Sequence, residues 1–67
     1  MIWLKVKKVY ENSKGLEVHY DLFDHEEPWG RQIFQSTSPN WEITVREIIR
    51  LVAADFRTRQ QNIRVLT

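Results

Sequence analysis

The strongest helix pattern in the chain lies in residues 43–60, ITVREIIRLVAADFRTRQ. At about 100° per residue, one side of such a helix carries four apolar residues: Val45, Ile48, Val52 and Phe56. This spacing is typical of a helix that packs one side on a core and turns the other to solvent. We therefore expect one amphipathic helix over residues 45–60.

Two signals place the start of this helix at Thr44. Thr44 and Glu47 have the spacing of a capping box, in which each side chain binds the backbone N–H of the other residue. Ile43 and Ile48 have the spacing of a hydrophobic staple. An alternative start uses Ser38 as the cap, with a proline at the first helical position. The residues after that proline are β-branched and alternate in polarity, which favours an extended chain there and therefore the Thr44 start.

The 67 residues are enough for one small domain, residues 1–67, with a single apolar core. The chain has no cysteine and hence no disulfide, and we expect it in a reducing compartment such as the cytoplasm. No apolar run approaches the roughly 18 to 20 residues that cross a bilayer, so we expect no membrane partner. A formal net charge of +1 gives no general attraction to nucleic acid.

The residues before the helix alternate between apolar and polar, which predicts strands. A hairpin joins strands 2–10 and 16–23, and a third strand covers residues 31–36. Residues 62–66 form either a short last strand, which their alternation favours, or a frayed end. Within residues 7–10 the alternation slips by one position, which indicates a bulge. We expect an α+β domain, in which a small antiparallel sheet of three to four strands packs one face against the helix.

The sheet face away from the helix is one candidate contact surface. We align the hairpin so that Tyr10 lies opposite Leu16. That face then carries three cross-strand pairs: Lys5 with Asp21, Lys7 with His19, and Trp3 with Phe23. Charge pairs and aromatic pairs of this kind are favourable across strands, which supports the alignment.

The acidic loop 24–30 leaves an alternative open for this face. Its Trp29 could fold back over Trp3 and Phe23 and bury them in a cluster of the chain's own residues. If the loop stays away, the same rings are free to meet a partner.

The polar side of the helix is the second candidate surface. Three arginines fall on one strip there, with Ala53 between them: Arg46, Arg50 and Arg57. A charged helix face is also the ordinary condition of a soluble domain. Near the apolar side, we expect Asp55 to pair with Arg59 one turn later.

The sequence offers no arrangement for catalysis or cofactor binding. Its serines and threonines fall in expected turns and caps, and it has no glycine-rich phosphate loop. His19, His25 and the acids near them are residue types that bind metal, but they lack the spacing of a closed site. We expect no catalytic residue, no metal, no cofactor and no small-molecule substrate.

The segment from strand 31–36 through residues 44–51, TVREIIRL, resembles the strand, T-V-x-E cap and helix of ubiquitin-like and Ras-association domains. The likeness covers about a third of the chain, and the long first hairpin and the short chain after the helix depart from it. The resemblance implies a partial ubiquitin-like β-grasp as the alternative fold. It also implies a non-catalytic, protein-binding module.

These patterns predict a non-catalytic interaction module that acts by homo-oligomerisation, most simply as a homodimer, or by binding a protein partner. The alternative is nucleic-acid binding through the aromatic and lysine-bearing sheet face or through the arginines of the helix. Tryptophan and arginine are enriched at interface hot spots. The residues expected to contact a partner are Trp3, Lys5, Lys7, His19, Phe23, Trp29, Arg46, Arg50 and Arg57.

Overall fold

A computed structural model of the protein describes residues 1–25 and 27–66. It contains a four-stranded sheet with one helix packed on it, which confirms the predicted α+β fold. The strands are β1 (Ile2–Asn12), β2 (Gly15–Asp24), β3 (Glu27–Gln35) and β4 (Ile63–Leu66). The helix is α1 (Trp41–Asp55), and a 3-10 turn, Gln60–Asn62, precedes β4. The predicted strands are all present, with shifted ends.

The strands lie in the order β3-β2-β1-β4. β1 pairs antiparallel with β2, and β2 pairs antiparallel with β3, but β4 pairs parallel with β1. The prediction of a wholly antiparallel sheet is therefore wrong for the last strand. Because α1 carries the chain from the end of β3 back along the sheet, β4 starts at the same end of the sheet as β1.

The β1–β2 hairpin contains the bulge that the slipped alternation indicates. Val6 lies opposite Tyr20 and Lys8 lies opposite His19, which leaves Lys7 as the extra residue. Before the bulge the predicted register is confirmed: Trp3 with Phe23, Leu4 with Leu22, and Lys5 with Asp21. Beyond it each pair moves by one residue, so two predicted pairs are wrong: Lys7 with His19, and Tyr10 with Leu16.

β3 begins at Glu27, inside the stretch that the sequence predicts to be an acidic loop. Phe23 pairs with Pro28, whereas its neighbour Leu22 pairs with Gly30, so β3 also contains a bulge. Cross-strand pairing with β2 therefore extends the strand beyond the predicted residues 31–36 at its N-terminal end.

Trp29 is the extra residue of this second bulge. Its ring packs edge to face on the ring of Phe56, with 4.9 Å between the centroids, so it lies on the helix side of the sheet. The alternative in which Trp29 covers Trp3 and Phe23 is therefore wrong. The bulge places the indole on the opposite face.

α1 begins at Trp41, so the predicted start at Thr44 and the alternative at Ser38 are both wrong. The cap is Asn40, whose Oδ1 accepts a hydrogen bond from the backbone N–H of Ile43 at 3.0 Å. Asparagine caps a helix about as well as threonine or serine does, so local sequence alone does not separate the three. Trp41 packs against the core, and this packing favours helix where β-branching favours strand.

Thr44 and Glu47 make other contacts than the predicted capping box. Thr44 is buried, and its Oγ1 donates to the backbone oxygen of Asn40 at 2.8 Å. Glu47 Oε1 accepts from Ser36 Oγ at 2.9 Å. The resemblance to ubiquitin-like domains, which rests on this pair of residues, stays a prediction.

α1 ends at Asp55 rather than at residue 60. Arg57 has a φ of 50°, a left-handed conformation that stops a helix. The N–H of Thr58 donates to the oxygen of Ala53 at 2.9 Å, and the N–H of Arg57 donates to the oxygen of Ala54 at 3.2 Å. These two bonds form a Schellman motif. Because glycine usually takes the left-handed position, the arginine gives no sign of the helix end in the sequence.

The core lies between α1 and one face of the sheet. Its buried residues are Ile2, Leu4, Leu16, Val18, Tyr20, Leu22, Ile48, Val52, Ala53 and Ile63. Val45 and Phe56, from the predicted apolar side of the helix, are only partly buried, and so are Val6 and Ile49. Ala53, predicted to lie among the helix arginines, is only 6% exposed, because the 3-10 turn and β4 pack against this part of α1.

The loop before α1 is fixed to the first hairpin at Gly15. Gly15 has a φ of 148°, and a Cβ there would lie 2.5 Å from the backbone oxygen of Ser36. The N–H of Ser36 donates to the oxygen of Leu16 at 2.8 Å. The side-chain amide of Asn12 donates to Gln35 Oε1 at 2.8 Å. The hairpin thus fixes the point from which the helix crosses the sheet.

Candidate functional site

The sheet face that α1 does not cover, which we call the outer face, is the main candidate site. It carries six apolar or aromatic side chains: Trp3, Tyr10, Phe23, Pro28, Ile33 and Leu66. Ile33 is 63% exposed, and Trp3, Tyr10 and Leu66 are also exposed. No helix or loop of residues 1–25 and 27–66 forms a second layer over them. Of the two rings that the loop could have covered, Trp3 is therefore open to solvent and Phe23 is partly buried.

One end of the outer face is aromatic. Trp3 on β1 lies opposite Phe23 on β2, and Phe23 lies opposite Pro28 on β3. Arg64 on β4 lies opposite Trp3 from the other side. Trp3 also lines a shallow depression with Asp24 at the end of the sheet. Tryptophan and arginine are both enriched at binding hot spots.

The outer face is basic on balance. Its cations are Lys5, Lys7, Lys8, Arg31 and Arg64, and its carboxylates are Glu17 and Asp21. Arg31 Nε donates to Asp21 Oδ1 at 2.7 Å. This hydrogen bond is the largest cause of a lowered pKa for Asp21, and the charges of Lys7 and Lys5 lower the pKa further. Asp21 is therefore ionised at neutral pH and holds one of the five cations.

His19 lies at the centre of the same face. Its Nε2 is 2.7 Å from Glu17 Oε2, and its ring packs edge to face on Tyr10 with 5.2 Å between the centroids. The Nε2 atom of His19 therefore has Glu17 as its partner, and the ring of His19 is largely buried against Tyr10.

The structure brings five of the nine predicted contact residues together. Trp3, Lys5, Lys7, His19 and Phe23 share the outer face. Arg46 and Arg50 lie exposed on α1, on the other side of the molecule. Arg57 has left the helix and Ala53 is buried, so the three arginines do not flank a small exposed residue as predicted. Trp29 lies on the helix side against Phe56.

Sequence reasoning missed seven contributors to the outer face: Lys8, Tyr10, Pro28, Arg31, Ile33, Arg64 and Leu66. Ile33 and Phe34 are adjacent apolar residues, so alternation alone does not say which of them faces the core. Pairing decides it, because Phe34 lies opposite buried Val18 and Ile33 lies opposite His19. For Lys8, the slipped alternation was the signal, because a bulge at Lys7 moves Lys8 to the outer face, opposite His19.

Within the described residues, no three His, Asp or Glu side chains come close enough together to hold a metal ion. The helix found in that part of the chain is too short and too polar to cross a membrane. No protein-family model, curated protein or solved structure matches the chain. The surfaces of the fold are therefore the basis for a proposal about function.

Proposed function

We propose that this chain is a non-catalytic interaction module that binds another protein through the outer face. The observation that carries the proposal is one whole side of a four-stranded sheet with Trp3, Ile33 and Leu66 exposed on it. Exposed apolar side chains that share one surface with charged ones are common at protein-binding sites. Aromatic and arginine side chains at its end supply the residue types that dominate interface energetics.

The charge of the outer face indicates what kind of protein it would bind. Five cations stand against two carboxylates there, so the face favours a partner with an acidic surface. A homodimer that pairs two outer faces would bring two basic surfaces together. We therefore propose a second protein as the partner in preference to a second copy of the chain.

The molecule measures 34 Å by 19 Å along its two longest axes, so the proposed partner meets a small surface. The absence of cysteine is compatible with action in the reducing cytoplasm, which we retain as part of the proposal.

Nucleic-acid binding is the second candidate. Single-stranded chains bind to exposed aromatic rings flanked by cations, and Trp3 stands near Lys5 and Arg64 in this way. Against this, Asp21 and Glu17 lie among the cations of the same face and interrupt the strip of positive charge that a phosphate backbone would follow.

Two exposed isoleucines on opposite sides of the molecule provide a matched test. Ile33 is 63% exposed on the outer face, and Ile43 is 48% exposed on α1. We expect Ile33→Glu to abolish binding to the purified partner and Ile43→Glu to leave it within about twofold, because a buried interface charge costs several kcal/mol. Circular dichroism of both variants checks that the fold is intact.

The same two variants separate the other outcomes. Light scattering of the chain alone tests for a homodimer. If the mass exceeds the 8.1 kDa of one chain, and if only Ile33→Glu returns it to that value, the partner is a second copy of the chain. A gel-mobility shift of a labelled single-stranded oligonucleotide tests for nucleic-acid binding. If the shift weakens with salt and only Ile33→Glu abolishes it, the partner is nucleic acid rather than protein. Equal losses in Ile33→Glu and Ile43→Glu would overturn the outer face as the site.

A further inference from the structure

A cleft of about 220 Å³ opens on the helix side of the sheet, at the C-terminal end of α1. It is lined by Leu22, Trp29, Gln32, Asp55 and Phe56. This cleft lies on the side of the sheet opposite the outer face. Its volume suits a short aliphatic group rather than a large ligand.

The aromatic wall of the cleft is set by the β3 bulge. Trp29 is the extra residue between the Phe23–Pro28 and Leu22–Gly30 pairs, and the bulge turns its ring toward Phe56. Gly30 beside it has a φ of 90°, a conformation that other residues rarely adopt. Bulges of this kind commonly re-aim a side chain at a functional site. Here the bulge leaves Trp29 56% exposed above the cleft.

Asp55 is the one charged residue among the five that line the cleft. Asp55 is the last residue of α1, where the helix dipole already places partial negative charge, and no basic residue lies in the last turn. The ion pairs among residues 1–25 and 27–66 join Glu17 to His19, Asp24 to His25 and Asp21 to Arg31. The predicted pair of Asp55 with Arg59 is therefore not formed. A carboxylate at the C-terminal end of a helix is repelled by the partial negative charge of the helix dipole there, so a cation bound beside it is stabilised by both.

The carboxylate of Asp55 also acts on the sheet beneath it. Tyr20 is buried on the central strand β2, and its pKa is raised, first by burial and then by the charge of Asp55. The side chain of Asp55 therefore lies near Tyr20 as well as in the lining of the cleft.

We propose that this cleft binds an alkylammonium group. The ammonium lies against the Asp55 carboxylate and beside the Trp29–Phe56 pair, because an aromatic ring face attracts a cation within about 6 Å of its centre. The Gln32 side-chain oxygen offers a further acceptor, and Leu22 packs on the alkyl stem. The ammonium can come from a lysine side chain of another protein or from a small free amine. The proposal uses none of the outer-face residues, so it stands or falls independently of the proposed function.

The test is a nitrogen-15 NMR titration of the full chain with three probes. These are n-butylammonium, an acetylated and amidated three-residue peptide with a central lysine, and the same peptide with norleucine in place of lysine. We expect saturable shifts at Gln32, Asp55 and the Trp29 indole with both ammonium probes, with a dissociation constant on the order of millimolar. Tighter binding of the lysine peptide than of n-butylammonium identifies a protein lysine as the ligand, and equal binding identifies a free amine.

Two carboxylate variants supply the control. Asp55→Asn keeps the shape and removes the charge, and it should weaken binding of both ammonium probes at least about tenfold. Glu42→Gln removes an acid from the first turn of the same helix and should change binding less than about twofold. Equal shifts with the norleucine peptide, or unchanged binding in Asp55→Asn, would overturn the proposal.

Discussion

Arg31 Nε donates to Asp21 Oδ1 at 2.7 Å across the β2–β3 pair, at the centre of the sheet face that no helix covers. The pair is partly exposed, and it is formed between side chains that local sequence does not bring together. It neutralises the central acid of the outer face. Lys5 lies opposite this same Asp21, and Lys8 lies opposite His19. The balance of charge that we assign to this face depends on the Arg31–Asp21 pair.

Arg31→Gln should raise the pKa of Asp21 toward its ordinary value of 3.8, because the largest lowering cause is the hydrogen bond from Arg31. Because the pKa of Asp21 is lower in the folded state than the ordinary value of 3.8, the ionised carboxylate stabilises the fold. This stabilisation is present above pH 3.8 and is lost as the pH falls through the folded-state pKa. The wild type should therefore lose more stability than Arg31→Gln on acidification below pH 3.8. Carbon-13 NMR titration of the carboxyl and urea melts at neutral and acid pH measure the two effects. Lys5→Gln is the control, and an equal pKa rise in that variant would contradict the assignment.

Gly15→Ala should destabilise the fold by about 2–4 kcal/mol, because the new Cβ meets backbone at a strained φ. The closest atom would be the oxygen of Ser36 at 2.5 Å. Gly30→Ala is the matched control, since its φ is 90° but no atom lies within 4 Å of the added Cβ. It should cost only about 1–2 kcal/mol for the left-handed backbone. Urea unfolding measures both, and a larger loss in Gly30→Ala would refute the contact between loop and hairpin.

Arg57→Gly should stabilise the protein by about 0.5–1 kcal/mol, because glycine adopts the left-handed conformation that ends α1 without strain. Arg46→Gly places the same substitution in the exposed interior of α1 and should destabilise by about 1 kcal/mol. Thermal unfolding of the two variants gives the signs directly. Destabilisation in both would mean that the helix continues through residue 57.

Asn40→Ala should cost about 1 kcal/mol of stability, the usual loss for a helix cap. Asn40→Asp should retain the stability, because the carboxylate also accepts from the backbone N–H of Ile43. Urea melts of the two variants test the position of the cap. A full-size loss in Asn40→Asp, or none in Asn40→Ala, would place the cap elsewhere.

Periodic patterns predicted the main elements of this fold because they report which residues are buried. Val18, Tyr20 and Leu22 alternate and are buried on one face of the sheet, and Ile48 and Val52 recur at helical spacing and are buried on the other side of the core. Burial sets these positions whatever the details of the turns. The slipped alternation likewise located the bulge at Lys7.

Element ends were less predictable because several residues compete for one role. Asn40, Thr44 and Ser38 are all good caps, and tertiary packing of Trp41 selects among them. Arg57 takes a left-handed conformation that is usual for glycine. The backbone hydrogen bonds of Arg57 and Thr58 to the last turn of α1 hold it there. The parallel pairing of β4 depends on the path of the whole chain.

The outer face was predictable as far as the first hairpin. The pairs Trp3 with Phe23 and Lys5 with Asp21 follow from alternation. Ile33, its most exposed apolar residue, needed the β2–β3 register, which two neighbouring apolar residues conceal. The cleft beside Asp55 depends on a bulge and on a helix end that no local pattern marks.

Site-specific photo-cross-linking is the most direct measurement of the central claim that the outer face binds another protein. A benzophenone side chain is placed at Ile33 in one variant and at Ile43 in another, both exposed positions but on opposite sides of the fold. We predict a discrete protein adduct from position 33 in cells that express the chain, and no such adduct from position 43. Adducts of equal yield from both positions, or adducts from position 43 alone, would contradict the account.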